Sequence, residues 1–319
     1  MTKWKLYDPD AQPARRKVKL PEPPPWRRSG QARREVIAST FRATPEVVNA
    51  VNVALHLRRP LLITGNPGTG KSSLVYSVAR QLGLGEVLVW AINSRSALAD
   101  GLYRYDALAR LQRIQQRQAG GDDDAPDEAD DLGAFITLGA LGSALAAPDA
   151  PRALLIDEID KSDVDLPNDL LSVLDTGAFP IAELQRVAEQ HPNVNVRNSQ
   201  GLPVSVDKGM VSFSEYPFIV MTSNGERDFP APFLRRCVQC SLPDPDDVQL
   251  SSIVHAHLPE LANDARIKAL VDDFLARRGQ GALATDQLLN AQYLLPKRKG
   301  LTEQARKDLL DVLFKHLNG

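Results

Sequence analysis

Two cysteines in 319 residues are too few for a disulfide framework, which points to a reducing compartment and the cytoplasm. Cys237 and Cys240 stand at C-x-x-C spacing, yet no second Cys or His pair sits at zinc-ligand distance in the chain, so both are expected to be buried in a core strand. His255 and His257 make an equally weak metal pair, because residues two apart on a helix face different ways. Strong charge is also missing: a formal net charge of -2 removes the global basic field that dominates non-specific nucleic-acid binding. There is no long apolar run. The start, "MTKWKLYDPD", lacks the apolar stretch of a secretory signal. The longest uncharged run, Leu132 to Pro148, carries three glycines and falls short of the roughly 18 to 20 residues a membrane helix needs. It reads as a buried helix and turn, and no membrane association is expected.

What is present is an ordinary globular composition, 43% hydrophobic and 24% charged, long enough for about two domains. Residues 1–40 hold "PEPPPW" and clustered arginines, the pattern of an extended arm, either solvated or strapped to a core or neighbour through Trp4 and Trp26. A helix follows, starting near Ala43 or Thr44 and carrying Val47, Val48, Val51 and Leu55 near helical spacing. Apolar strands are expected at Leu61–Thr64, Val87–Ile92, Ala153–Ile156, Phe218–Thr222 and Val238–Leu242, with helices between them. Buried strands alternating with helices predict an α/β fold: a P-loop NTPase parallel sheet over residues 41–242, covered on both faces. Two inserts stand out, near 94–112 and 194–206. An acidic loop near 120–131 holds seven acids from Asp122 to Asp131 and no base, and reads as solvated. Residues 243–319 read as helices only, an all-α lid at 246–257, 264–278, 285–294 and 302–317.

The chemistry sits at the strand ends. "GNPGTGKSS" follows a strand and precedes a helix, the context a G-x-x-x-x-G-K-[ST] phosphate loop requires. Gly65, Asn66, Pro67, Gly68, Thr69, Gly70, Lys71, Ser72 and Ser73 make up this loop. Its glycines let backbone N–H groups turn toward a phosphate, Lys71 supplies a charge for the β and γ phosphates, and Ser72 offers a hydroxyl to Mg²⁺. "ALLIDEID" ends its strand with Asp157, placed for the Mg²⁺ shell, and Glu158, placed to polarise a water. "PFIVMTSN" brings Asn224 to a strand end, where an amide can bond both phosphate and water. In "APFLRRC", Arg235 and Arg236 suit a helix end, but an arginine delivered to a γ phosphate can be worth roughly 10³ to 10⁵ in rate.

From about residue 40 to the end, the order and spacing of "GNPGTGKSS", "LLIDEID", "VMTSN" and "FLRRC" resemble the AAA+ ATPases, and within them the MoxR group. The resemblance implies a nucleotide loop, metal and water-activating acids, a first sensor and an arginine finger, with Arg236 before Arg235 as the finger. It implies Mg²⁺-dependent ATP hydrolysis in a homo-oligomeric ring, usually a hexamer, with nucleotide at each boundary. It implies chaperone-like remodelling of a protein partner, often beside von Willebrand A domain proteins. The subgroup rests on the insert "SRSALADGLYRYDALARLQ" and on a hairpin, "VNVRNSQGLPVSV", between the acid pair and the sensor strand. Tethered to both, that hairpin is a candidate for the part that pushes on a partner or on the next subunit, and the insert at 94–112 is a second candidate.

One departure matters. Many relatives carry a basic second sensor at the start of the third lid helix, where this chain has Thr285 and Asp286. Arg277, Arg278, Lys297 and Arg298 lie nearby without matching it. That substitution keeps a slowly hydrolysing ATP switch or scaffold in view. A nucleic-acid motor of a restriction system is the other alternative, with only Arg197 and Lys208 basic at the hairpin. A phosphotransfer kinase lacks a visible acceptor domain.

Overall fold

The computed structural model describes residues 20–120, 132–147, 150–213, 215–259, 265–279, 283–295 and 302–315. In chain order the first elements are α1 (Gln31–Thr40), α2 (Pro45–Leu57), β1 (Leu61–Thr64), α3 (Lys71–Leu82), β2 (Leu88–Ala91), α4 (Leu98–Leu102), β3 (Tyr103–Tyr105) and α5 (Ala107–Gly120). Then come β4 (Ile136–Leu138), α6 (Ala140–Leu145), β5 (Ala153–Asp157), α7 (Leu166–Thr176), β6 (Ala178–Pro180), α8 (Ala182–Gln185), β7 (Asn193–Arg197), β8 (Pro203–Asp207) and β9 (Met210–Ser212). The chain ends with β10 (Phe218–Ser223), α9 (Ala231–Arg236), β11 (Val238–Ser241), α10 (Asp247–His257), α11 (Ala265–Arg278), α12 (Thr285–Leu294) and α13 (Glu303–Leu313). These elements form two compact units: Thr44–Gly65 with Val78–Leu242, and Met1–Ala43 with Asn66–Ser77 and Pro243–Gly319.

The first unit is built on a five-stranded parallel sheet in the order β11-β1-β10-β5-β2. β10 is buried along its whole length and β5 up to Asp157, as strands covered on both faces must be, whereas the edge strands β2 and β11 alternate. The fold is therefore the expected P-loop NTPase sheet. Thr44 caps α2 by accepting a hydrogen bond from the Val47 N–H. Edge position also explains a departure: Cys237 is buried just before β11, but Cys240 on that strand is only half-buried. Burial pushes the Cys237 thiol up to about 12, away from thiolate chemistry.

A second, six-stranded sheet runs β3-β4-β7-β8-β9-β6. The hairpin forms with Val194 opposite Val206 and Val196 opposite Val204, the alternation its residues dictate. It is not a free lever, however. β7 also pairs with β4 through Thr137 and Arg197, and β8 pairs with β9. At the turn, Ser199 N–H donates to Ser143 Oγ, and the Gln200 side chain bonds Arg152 and Glu86. The segment expected to be a buried helix and turn contains β4 as well as α6, because Ile136 and Thr137 are β-branched and pair with Tyr105 and Arg104. The insert docks closely on the edge strand: a Cβ on Gly101 would lie 2.6 Å from the Trp90 ring. One core joins both sheets, with Trp90, Leu154, Ile156 and Met221 beside Leu138, Leu141, Val194 and Val206.

The other unit is a helical bundle around Leu250, Val254, Leu270, Phe274, Leu288 and Phe314. Asp246 and Gln249 form a capping box on α10, and Thr302 caps α13. Residues 31–40 of the expected extended arm are helix α1: the prolines stop at Pro25, Gly30 turns the chain with φ of 66°, and "QARREVIAST" contains no breaker. Trp26 straps this region to its own bundle. Its indole Nε1 donates to Asn290 Oδ1 at 3.2 Å, and its ring meets His257 and Tyr293 edge-on. Trp4 and the acidic segment 121–131 lie outside the described residues.

Candidate active site

In a parallel sheet every carboxyl end lies at one edge, so the register decides what meets there. β10 lies between β1 and β5, pairing Thr64 with Ser223 on one side and Met221 with Ile156 on the other. Gly65, Asp157 and Asn224 therefore leave the sheet at the same edge on three adjacent strands. A Cβ on Gly65 would sit 2.4 Å from the Leu242 carbonyl oxygen, so only glycine fits where the loop begins.

Within the loop, Gly68 and Gly70 adopt φ of 80° and 89°. The Asn66 carbonyl gathers the Thr69 hydroxyl and the Lys71 ammonium, both at 2.9 Å, folding Lys71 back over the loop it follows. Asn66 Nδ2 in turn donates to Asp244 Oδ2 at 2.9 Å. A Cβ on Gly68 would clash with Ala284 at 2.6 Å, so the start of α12 packs on the phosphate loop. Thr285 is thus held where a second sensor is sought. Arg277 is engaged by Asp273 and Asp311, and Arg278 by the Pro245 carbonyl. Lys297 and Arg298 lie outside the described residues.

The acid pair is held from β10. Thr222 Oγ1 donates to Asp157 Oδ1 at 2.6 Å and accepts from the Glu158 N–H at 2.9 Å. Glu158 is one of three described non-glycine residues with positive φ, at 59°, a conformation that costs about 1–2 kcal/mol. Its Oε2 accepts from Lys161 Nζ at 2.7 Å, and that carboxylate pushes the Lys161 ammonium up. Asp160, 3% exposed, accepts the Asn224 and Glu226 backbone N–H groups on Oδ2, at 2.8 and 3.1 Å, while its sealed Oδ1 has no hydrogen-bond partner. A cavity of about 520 Å³ opens beside this turn between Ile159, Pro167 and Phe229, and Arg227 crosses to the Ser162 carbonyl at 2.6 Å.

Arg235 and Arg236 end the short helix α9, where cations suit the helix dipole. Arg236 Nε pairs with Asp175 Oδ2 at 2.9 Å on α7, both side chains about half exposed, and the Arg235 carbonyl accepts from Arg59. Residue order alone misses Thr222, Asp160, Lys161 and Asp175. Asp160 sits three places after Asp157 and could be suspected; Thr222 becomes visible only once β10 is paired with β5.

A nucleotide phosphate fits a glycine loop of this geometry, and Mg²⁺ fits an aspartate fixed through one oxygen. Among the described residues no three His, Cys, Asp or Glu side chains cluster to hold a metal unaided. Mg²⁺ takes one or two protein carboxylates and completes its shell from phosphate and water, a demand the fixed Asp157 carboxylate can meet.

The sequence model of the AAA domain, dynein-related subfamily, matches residues 60–237. The chain belongs to this AAA family. The match spans the phosphate loop, the acid pair, Asn224 and both tandem arginines. Among solved structures, domain III of the Thermotoga maritima replication initiation protein DnaA is similar at 14% identity, covering 88% of this chain and 98% of that one, with a TM-score of 0.43. PCH-2 of C. elegans is similar at 16% identity, covering 88% and 72%, with a TM-score of 0.42. No curated protein matches the chain. No described helix of this AAA protein is long and apolar enough to cross a membrane.

Proposed function

We propose that this AAA protein hydrolyses Mg·ATP as a ring of identical chains of the MoxR type, and that turnover remodels a partner protein. The observation that supports this best is the meeting of Gly65, Asp157, Glu158 and Asn224 on one sheet edge, with Glu158 held at a fixed backbone angle. In this reading Gly65, Asn66, Pro67, Gly68, Thr69, Gly70, Lys71, Ser72 and Ser73 bind the phosphates. Lys71 neutralises the β and γ oxygens. Ser72 and Asp157 would hold Mg²⁺, which supplies charge stabilisation on the transferred phosphoryl group. Glu158 draws the proton of the attacking water, and Asn224 orients that water through its amide. Arg236, with Arg235 as the next choice, leaves its ion pair with Asp175 to reach the γ phosphate of the neighbouring chain.

A second reading, an ATP switch that turns over slowly, is favoured by one observation: the helix packed on Gly68 opens with Thr285 and Asp286 instead of a cation. The test compares native protein with Glu158→Gln, measuring particle mass and phosphate release with and without Mg·ATP. Nucleotide-promoted assembly in both and hydrolysis only in the native protein supports the proposal. Equal phosphate release from the two rejects it, and tight binding with negligible native turnover favours the switch.

A further inference from the structure

Thr222 carries no role in the proposed reaction, yet it is the side chain on which both members of the acid pair depend. It is 1% exposed on β10, where the four positions before it, Phe218 to Met221, are apolar and Ser223 follows it. A hydroxyl owns one proton and two lone pairs, so its two contacts fix how each is used. The bond of 2.6 Å to Asp157 Oδ1 takes the proton, since a carboxylate facing it can only accept. The bond of 2.9 Å from the Glu158 N–H then takes a lone pair. One oxygen atom thereby sets the rotation of the Asp157 carboxylate and pins the amide plane entering Glu158, whose φ of 59° an unrestrained glutamate disfavours.

We propose that Thr222 is a positioning residue for this site, and that its hydroxyl, rather than its shape, aims Asp157 at the metal and holds Glu158 in its left-handed conformation. The proposal rests on the reading of Asp157 and Glu158 given above. Asp157 Oδ1 is occupied by Thr222, which orients the carboxylate plane before any cation arrives. Glu158, with its backbone restrained at both the N–H and, through the Lys161 N–H at 3.0 Å, the carbonyl, has only its side chain left to move. Such preorganisation acts on metal binding and on turnover and leaves metal-free contacts to the nucleotide untouched.

The test uses the full chain with Thr222→Val, which keeps the branched shape and removes the hydroxyl, and Thr222→Ser, which keeps the hydroxyl and removes the methyl. Binding of a fluorescent ADP is titrated in EDTA and then across a Mg²⁺ series, and phosphate release is followed in parallel. Thr222→Val is expected to bind ADP in EDTA like the native protein. Its half-saturating Mg²⁺ should rise, and its kcat fall, by about tenfold or more, the loss of a hydrogen bond to a charged group. Thr222→Ser should return both to within about threefold of native. A Thr222→Val protein with native Mg²⁺ dependence and turnover overturns the assignment, as does a Thr222→Ser protein as impaired as Thr222→Val, which would make the methyl group responsible. Native protein that binds no ADP and releases no phosphate overturns the underlying reading instead, a result separate from either of these.

Discussion

Replacing Asp160 with alanine removes the one oxygen on which the Asn224 and Glu226 N–H groups converge, at 2.8 and 3.1 Å. Each donor left unpaired in a partly buried turn costs about 1–3 kcal/mol. Alanine also removes Oδ1, which is sealed with no partner and already carries a desolvation cost of similar size. The balance is a loss of roughly 1–3 kcal/mol, two penalties set against one relief. For a folding unit of about this size each kcal/mol moves Tm by about 2–4 °C, so Asp160→Ala should melt roughly 2–12 °C below native. Asp160→Asn keeps an acceptor for both N–H groups but puts an amide where Oδ1 is sealed, and should lose about half as much. Because the lost bonds hold the backbone of Asn224, kcat should fall about tenfold or more in Asp160→Ala, with ATP affinity little changed. Melting followed by circular dichroism, with phosphate release on the same samples, reads both effects. Asp160→Ala melting within about 1 °C of native with unchanged kcat would refute the reasoning, since a buried double acceptor cannot be lost silently.

Arg236→Ala should keep native stability to within about 1 kcal/mol, because its exposed pair with Asp175 contributes little, while kcat drops by roughly 10³; chemical denaturation and phosphate release separate the two. Trp26→Ala removes the indole bond to Asn290 and the ring contacts to His257 and Tyr293, and should destabilise the helical unit by about 2 kcal/mol, seen as faster limited proteolysis of its helices. Burial holds the His257 imidazole below its ordinary 6.5, so the unfolded chain binds the extra proton first. Stability is then full above about pH 6.5 and falls as pH drops from there toward the lowered folded value; His257→Asn should flatten that part of a Tm profile.

Much of the sheet was legible because its strands are short apolar runs ending in residues of unusual type, such as Asp157 after Leu154–Ile156. The hairpin register followed from four valines. What order alone could not reveal was what the hairpin pairs with, since β4 and β9 join it through positions distant along the chain. The same limit hid Thr222, which resembles any strand threonine until Met221 is aligned with Ile156 and the next residue falls beside Asp157. For Asp160 the order supplies only its place three after Asp157; burial and the two converging N–H groups make it an acceptor. The prolines and arginines at 21–28 give the whole stretch the composition of an arm, although no breaker follows Gly30 and Gln31–Thr40 is helix α1.

A nucleotide site completed by a neighbouring chain can be tested by mixing two crippled proteins. In the proposed roles Lys71→Ala loses its hold on the phosphates and Arg236→Ala loses the finger, so each alone should be nearly inactive. In mixed rings a Lys71→Ala chain lends its arginine to an Arg236→Ala neighbour at about one boundary in four, and phosphate release should recover toward about a quarter of native. A mixture no more active than its two components would contradict a shared site.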